Sequence, residues 1–257
     1  MRLSALEAAQ RERERYHALT VPDGQRIVVR VDGRSFTALT GAHFTKPFDG
    51  RFNELMVASA AALLQEFDGA YAYTQSDEIS LLLPESTRAF GRSVEKLVSL
   101  TAGVASASFS LAMGRRVGFD SRLWTGDTVA DVVDYFAWRQ ADAERNALNT
   151  GVFWTLREQG LTAPQATRRM EGLDRQAKME ILATYGPAFD ERPAWQRRGV
   201  GVWFETVATD GYDQKSRKPV TTLRRRLHHE LTLPAGAEYQ SLAAHLARPA
   251  DDAVSPS

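Results

Sequence analysis

The sequence of 257 residues contains no cysteine. Its absence excludes disulfide bonds, zinc sites built on thiolates and a cysteine nucleophile. Only five histidines occur and they are scattered along the chain, so a histidine-rich metal site is not expected either. A metal centre in this chain would have to be built mainly from carboxylate oxygens.

Long apolar runs and a net charge are also missing. No apolar run is expected to span a bilayer, and the first residues, MRLSALEAAQRERERY, lack the apolar core of a secretory signal. We therefore expect no membrane association and a cytoplasmic location. The 32 basic residues balance the 32 acidic ones, which argues mildly against a nucleic-acid binder, although basic residues cluster near the C-terminus.

The hydrophobic fraction of 43% is sufficient for a globular core. Short β-branched runs and helical spacing of apolar residues predict four strands, at 27–32, 70–73, 79–83 and 122–126, and two helices, at about 50–67 and 92–113. The order strand, helix, strand, strand, helix, strand is the βαββαβ pattern of a ferredoxin-like sheet. We predict an α+β fold with a polymerase-palm-type antiparallel sheet and an appended helical lobe.

The predicted domain organisation follows from these elements. An N-terminal helix occupies residues 1–25, the palm-like core 26–126, and a helical lobe with C-terminal strands 127–247; residues 248–257, of low complexity, form a disordered tail. The long helix after residue 127 is expected to break near Thr150 and Gly151. Thr162 and Gln165 form a capping-box pattern that predicts the start of a further helix.

Three carboxylates stand out because they fall at the ends of predicted neighbouring strands. Asp32 ends the first strand, directly before Gly33, and Asp77 and Glu78 lie in the hairpin. Either segment alone is more simply an ordinary polar turn. Together they predict a site for two magnesium ions about 4 Å apart, which bind the attacking and leaving oxygens in phosphoryl transfer. Gly33 lacks a Cβ and would let a backbone carbonyl or a triphosphate approach.

These acids lie within a longer series of collinear motifs. With them, the chain resembles the histidine-tRNA guanylyltransferase family, including its guanylyltransferase-like 3′–5′ polymerase branch. The matching stretches are VVRVDGRSF (28–36), FTKPFDGR (44–51), YTQSDEISLLL (73–83), GFDSR (118–122), YFAWRQADAERNALNTGVFW (135–154), GLTAPQA (160–166), AKMEIL (177–182) and RRGVGVW (197–203). Their shared order over so much of the chain is far more specific than any single motif.

The resemblance implies an enzyme that extends tRNA at its 5′ end. ATP or GTP activates the 5′-monophosphate, and the 3′-hydroxyl of an incoming nucleotide attacks the activated end. It also implies two Mg²⁺ ions, a homotetramer and three catalytic acids, Asp32, Asp77 and Glu78, with Asp32, Gly33 and Asp77 as metal ligands. The implied nucleotide-binding residues are Asp32, Gly33, Arg34, Ser35, Phe36, Thr37, Lys46, Ser76, Asp77 and Asn146.

One departure from the family pattern bears on the substrate. Enzymes that add guanylate to histidine tRNA typically have a His-Ile-Asn-Asn-Leu-Tyr-Asn-Thr stretch, whose first residue corresponds to Glu144 here. The change argues against non-templated guanylate addition and favours template-directed repair of truncated tRNA 5′ ends. A nucleotide cyclase and a non-catalytic RNA-binding module are the alternatives from other classes.

Basic residues outside the acid site are candidates for RNA or phosphate contacts. Arg30 shares a strand face with Asp32, and its alternative role is a salt bridge to a nearby acid. The tryptophans Trp138, Trp154 and Trp203 are expected to be mostly core. The remaining candidates, for which solvated surface is the alternative, are Lys178, Arg198 and a basic strip of Lys215, Arg217, Lys218, Arg224, Arg225 and Arg226.

Overall fold

The computed structural model describes residues 3–213 and 218–248. Local sequence sets most element boundaries; Asp49, for example, caps the N-terminus of a helix by accepting a hydrogen bond from the backbone N–H of Arg51. In chain order the elements are α1 (Leu3–Arg11), β1 (Arg26–Gly33), α2 (Phe36–His43), α3 (Gly50–Glu66), β2 (Tyr71–Gln75), β3 (Glu78–Leu82), α4 (Val94–Met113), β4 (Phe119–Gly126), α5 (Val129–Glu158), α6 (Ala163–Met170), α7 (Arg175–Tyr185), α8 (Ala194–Arg198), β5 (Val200–Asp213), β6 (Lys218–Glu230) and α9 (Gly236–Leu246).

Within the described residues the strands form one six-stranded antiparallel sheet of order β4-β1-β3-β2-β5-β6. The first four strands have the order and connections of the ferredoxin-like βαββαβ fold, which confirms the predicted α+β fold. In the central register Asp32 lies opposite Glu78 on one side and opposite Asp120 on the other. Directly opposed residues point to the same face of a sheet, so three acids share one face at this edge.

The two faces of the sheet are covered by different helices. On one face, Val29 and Ile79 pack with α3 and α4 residues such as Leu64. On the other face, Val28 and Leu82 pack with residues of α5 and α9, the buried Phe136 and Tyr239 among them. Each fully buried side chain of this size contributes about 1.5–3 kcal/mol. Because both faces of β1 are buried, apolar residues point to both of them, and the strand reads as a nearly continuous apolar run.

Helix α5 runs unbroken from Val129 to Glu158, so the predicted break near Thr150 and Gly151 is wrong. Gly151 is buried, and a Cβ placed on it would lie 3.6 Å from both Arg192 and Leu182. A side chain as small as alanine would therefore fit here in ordinary contact, and the glycine does not end the helix. Helices α2, α8 and α9 were not predicted.

Helix α4 corrects a second expectation, because it is long and apolar enough to cross a membrane by length and composition alone. Its mean hydropathy is 1.3, and 22% of the stretch is buried. The buried residues, Leu97, Thr101, Ala105 and Phe109, face α3 and β4 in the core. One helix that meets this criterion by length and composition is weak evidence for a membrane span.

Strands β5 and β6 form a long antiparallel pair at the far edge of the sheet. Only Val200–Val202 pairs with β2, whereas the pairing of β5 with β6 runs from Gly201 opposite Glu230 to Asp213 opposite Lys218. The outer part, which we call the ribbon (residues 204–213 and 218–227), therefore pairs only within itself. Its exposed side chains include Arg224 and Arg226.

Candidate active site

A cavity of about 450 Å³ opens where the β2–β3 turn meets α2, α3 and α5. Asp32 at the end of β1 and the acids of the hairpin form one wall, and α5 forms the opposite wall. The polar residues that line it are Asp32, Thr37, Thr40, Thr45, Lys46, Asp49, Asn53, Gln75, Ser76, Asp77, Glu78, Arg139, Asp142, Asn146, Thr150 and Gln196. Acids and bases from distant parts of the sequence therefore converge on one space.

Asp32 is only partly exposed and is surrounded by charge. Burial raises the pKa of this carboxyl, the negative charges of Asp77 and Asp120 raise it further, and Arg122 and Arg30 oppose the rise. Asp120 was not among the predicted residues. It lies on β4 in the motif GFDSR and forms a 3.2 Å salt bridge with Arg122.

The hairpin turn positions Asp77 beside Asp32. Ser76 adopts a left-handed conformation with φ of 52°, so the hairpin reverses direction within two residues. The backbone N–H of Gly33 donates to the carbonyl of Asp77 over 2.9 Å, which ties β1 to the turn. The Ser76 hydroxyl donates to the Asp77 carboxylate at 3.1 Å.

Lys46 supplies a positive charge close enough to Asp77 to interact with it electrostatically. Its ammonium donates to the hydroxyl of Thr40 at 2.6 Å. Burial lowers the pKa of Lys46, and the nearby Asp77 carboxylate opposes that shift. This half-buried cation can bind an anionic group in the cavity, since it has no acid within salt-bridge distance among the described residues.

Glu78 differs from the two aspartates because its charge is already paired. Both of its oxygens accept hydrogen bonds from Arg139, at 2.7 and 2.8 Å. Burial raises the pKa of Glu78, and the charge and hydrogen bonds of Arg139 oppose the shift. In the part of the chain that the structure describes, no three Asp, Glu or His side chains converge closely enough to hold a metal ion.

The segment after Asp32 forms the floor of the cavity. Phe36 is 2% exposed and packs edge-on against Phe52 and Phe109, and at a tilt against Phe119. A Cβ on Gly33 would lie 2.5 Å from the Phe36 ring, so this position needs glycine for packing against the floor. Of the predicted nucleotide-binding residues here, Phe36 and Thr37 line the cavity, whereas Gly33, Arg34 and Ser35 lie beside it.

Asn146 lines the cavity as predicted, but two further residues of α5 escaped the sequence analysis. Arg139, Asp142 and Asn146 follow the spacing i, i+3, i+7, which places all three on one helix face. That spacing, inside a stretch already matched to the family, was the signal that could have found Arg139 and Asp142.

The other basic candidates lie away from the cavity lining. Arg30 is 3.9 Å from Glu78, so the predicted salt bridge to a nearby acid is present. Lys178 lies on α7, and Arg198, at the end of α8, accepts a hydrogen bond from the Tyr73 hydroxyl through its backbone carbonyl. Trp138 is 52% exposed and stacks on arginine side chains, so the prediction that it belongs to the core is wrong.

The basic strip falls largely on the ribbon. Lys218, Arg224, Arg225 and Arg226 are exposed on β6, while Lys215 and Arg217 lie outside the described residues. Arg225 pairs with Asp68 at 3.1 Å and lies over the Phe204 ring. The strip is thus separated from the cavity by the width of two strands in the sheet order. Most of the predicted tail, residues 249–257, also lies outside the described residues.

Comparison with known families accounts for most of the chain. The family described as tRNAHis guanylyltransferase matches residues 9–130, and the Thg1 C terminal domain matches residues 130–233. The chain belongs to the tRNAHis guanylyltransferase family. It is therefore placed among the nucleotidyltransferases, and the resemblance inferred from its motifs is confirmed at the level of the family.

Curated relatives agree with this placement. The chain is 33% identical over 213 residues to a probable tRNA(His) guanylyltransferase of Drosophila melanogaster, covering 78% of this chain and 73% of the relative. It is 35% identical over 191 residues to a probable tRNA(His) guanylyltransferase of Mus musculus, covering 69% of this chain and 64% of the relative.

Solved structures give the same fold. The tRNA(His) guanylyltransferase of Saccharomyces cerevisiae superposes with a TM-score of 0.69 at 27% identity, covering 74% of this chain and 90% of that one. A bacterial Thg1-like protein in complex with ATP superposes with a TM-score of 0.73 at 22% identity, covering 94% of this chain and 98% of that one. A bacterial Thg1-like protein in complex with GTP superposes with a TM-score of 0.70 at 23% identity, covering 95% of this chain and 99% of that one. These relatives have a palm-like fold, as predicted for this chain.

Proposed function

We propose that this chain is a magnesium-dependent 3′–5′ RNA nucleotidyltransferase that adds nucleotides to the 5′ end of tRNA. The observation that carries the proposal is the cavity in which Asp32 and Asp77 meet Lys46 and Asn146. Its volume of about 450 Å³ falls in the usual range of ligand pockets, about 300–1,000 Å³. Membership of the family supports nucleotide addition to tRNA as the reaction class.

Magnesium fits the donors at this edge of the sheet. Asp32 and Asp77 offer hard carboxylate oxygens, and burial together with neighbouring acids raises the pKa of Asp32. The Gly33 carbonyl would complete the set for two ions. When bound, magnesium would neutralise this charge and stabilise the attacking and leaving oxygens of phosphoryl transfer.

The other cavity residues would bind and orient the nucleotide. Lys46 would contact the triphosphate, because its ammonium already lies beside the acid wall. Asn146 would contact phosphate from the α5 wall, and Thr37 and Ser76 offer hydroxyl groups along the same space. Phe36 would support this arrangement from below as part of the aromatic floor.

ATP and GTP are the proposed nucleotide substrates. Bacterial Thg1-like proteins have been solved in complex with each of them. In this proposal ATP or GTP first activates the 5′-monophosphate of the tRNA. The 3′-hydroxyl of the incoming nucleotide then attacks the activated 5′ end, and catalysis consists mainly of positioning and charge stabilisation.

Templated repair of tRNA 5′ ends is the favoured form of the reaction. Glu144 replaces the histidine typical of enzymes that mark histidine tRNA, and its carboxylate lies 3.7 Å from Arg175. The replacement of that histidine by an ion-paired acid supports repair over non-templated guanylate addition.

The deciding experiment mixes the protein with magnesium, labelled GTP and a tRNA lacking its first nucleotide. We expect label at the 5′ end, with loss of activity in Asp77→Ala and no change in Asp134→Asn, an exposed aspartate on α5. The proposal would be refuted if no label were incorporated under conditions in which an active enzyme of the same family incorporates it. Full-length and truncated tRNAs tested with each of the four nucleotides distinguish the two activities. Repair extends truncated tRNAs with the nucleotide that the template specifies, whereas guanylate addition extends full-length tRNA with G.

The same assay distinguishes the alternatives from other classes. A nucleotide cyclase would release a cyclic product from the nucleotide alone, and a non-catalytic module would bind tRNA equally well after Asp32→Ala. We also propose a homotetramer in the cytoplasm without membrane association. Light scattering of the purified chain would test the assembly, and a monomer would contradict it.

A further inference from the structure

Glu78 and Asp32 face each other directly on neighbouring strands, yet only Glu78 has a charged hydrogen-bonding partner. Arg139 Nε donates to one Glu78 oxygen at 2.7 Å, and Arg139 Nη2 donates to the other at 2.8 Å. The side chains are 11% and 17% exposed. A largely buried, bidentate pair of this kind fixes both charge and orientation.

Arg139 also contacts a second acid on its own helix. Its Nη2 lies 3.0 Å from Asp142, and Asp142 accepts a hydrogen bond from the Asn146 amide at 3.3 Å. Arg145 pairs with the other Asp142 oxygen. Contacts at Arg139 therefore connect the hairpin acid to a residue proposed to bind the triphosphate.

Neighbouring groups cannot replace Arg139 in this position. Arg30 is 3.9 Å from Glu78, too far for a hydrogen bond, and its Nε is buried without a hydrogen-bond partner. The Trp138 ring lies 4.5 Å from the Arg139 guanidinium and 5.6 Å from that of Arg30. Trp138 thus packs against both cations, and among the described residues Arg139 alone hydrogen-bonds to the Glu78 carboxylate.

We infer that Arg139 is a positioning residue that withholds Glu78 from the metal ions and, through Asp142, directs Asn146 towards the cavity. The inference rests on the proposed function and deepens it. It divides the three acids into two roles: Asp32 and Asp77 face the cations, and Glu78 holds Arg139 in place. The charge available to divalent cations then comes from the two aspartates.

Steady-state transfer kinetics test the coupling. Glu78→Gln and Arg139→Gln should each lower kcat about 100-fold, and the double variant should fall no lower than the weaker single variant, because the two residues act as one unit. Arg139→Lys should stay at least about 10-fold below wild type, since lysine keeps the charge but not the fork geometry. Arg157→Gln, on the outer part of the same helix, is the matched control.

The link to Asn146 should appear in KM rather than kcat. Asp142→Asn and Asn146→Ala should each raise KM for the nucleotide about 10-fold, and the double variant should show no further increase. Losses that multiply in either double variant, or full kcat in Arg139→Lys, would overturn the inference.

Binding of Mn²⁺ without RNA or nucleotide gives a readout that does not depend on the reaction. Arg139→Gln frees Glu78, so Mn²⁺ should bind about 5-fold or more tightly, whereas Glu78→Gln, which leaves Arg139 unpaired, should bind it no more tightly than wild type and the double variant should bind it like wild type. Unchanged affinity in Arg139→Gln would refute the withholding role. Should that variant fail to fold, Arg139→Met, which also removes the guanidinium, should bind Mn²⁺ more tightly than wild type in the same titration. A wild-type chain that binds Mn²⁺ but transfers no nucleotide would refute only the proposed function.

Discussion

The cavity and the ribbon are both rich in charge, but they hold it in opposite ways. At the cavity, Glu78 and Arg139 are mostly buried and joined by two short hydrogen bonds. On the ribbon, Arg224 and Arg226 are exposed, and Arg225 pairs with Asp68, whose side chain is 79% exposed. Exposed pairs are screened by water and salt and contribute about 0–1 kcal/mol.

The contrast shows how confinement changes the effect of a charge. Around Asp32, neighbouring strands bring several carboxylates together, so Asp77 and Asp120 raise the pKa of Asp32, and Asp32 raises that of Glu78. The strands of the ribbon pair only with each other among the described residues, and apart from the exposed Arg225–Asp68 pair its arginines act mainly as a local positive field. Substitutions should therefore be coupled and costly at the cavity and nearly independent on the ribbon.

The largest expected difference concerns the cavity floor. Phe36→Ala removes a buried ring that contacts three other rings, and should lower the free energy of unfolding by about 3–5 kcal/mol. Leu223→Ala, at a ribbon residue that is 74% exposed, should change it by less than about 0.5 kcal/mol. Urea denaturation of both variants measures the difference, and equal losses would contradict it.

Gly33→Ala should have the next largest effect. The new Cβ would lie 2.5 Å from the Phe36 ring, and the overpacking should cost about 1–3 kcal/mol in unfolding free energy. Leucine at position 36 leaves more room for the new Cβ. Gly33→Ala should therefore cost less unfolding free energy in the Phe36→Leu background than in the wild-type background. If denaturation shows the same cost in both backgrounds, the glycine is needed for another reason.

Asp49→Ala should cost about 1–2 kcal/mol at neutral pH, as loss of a helix N-cap does. Hydrogen bonds from the Arg51 side chain, and then from the backbone of Thr45 and Arg51, hold the pKa of Asp49 below its ordinary value. A lowered folded-state pKa gives stability above the unfolded value of about 4, which is lost as pH falls through the folded value.

The stability difference between wild type and Asp49→Ala should therefore shrink in acid. Unfolding measured between neutral pH and pH of about 2 tests this. Asp49→Asn is the control, because it keeps a capping oxygen but loses the ion pair with Arg51. A difference that stays constant across the pH range would assign the effect to the cap alone.

The smallest effect on stability is expected for the ribbon arginines. Replacing Arg224, Arg225 and Arg226 with Gln should change unfolding free energy by less than about 0.5 kcal/mol per residue. If they contact tRNA, the slope of log affinity against log salt should fall by up to about 0.7–0.9 per lost phosphate contact. Binding titrations at several salt concentrations measure it, and an unchanged slope would exclude these contacts.

The palm could be predicted because its signals are local. Apolar runs mark β1 and the hairpin, and the two-residue turn at Ser76 and Asp77 brings β2 against β3. Gln165 accepts from the Thr162 backbone N–H at 2.8 Å, so that capping box also formed as predicted. Helix α2 escaped prediction because FTALTGAH, rich in Thr and Gly, has little intrinsic helix preference.

The sequence alone determined the family, the βαββαβ core and the two aspartates that face the cavity, because these follow from motifs and from strands adjacent in a known topology. Only the tertiary structure decided that Glu78 pairs with Arg139, that α5 continues through Gly151 and that Trp138 covers two arginines. Glu78 with Arg139, Arg30 with Trp138 and Gly151 with Leu182 are all contacts between residues far apart in sequence. Their distances and burial arise from packing, which no local pattern encodes.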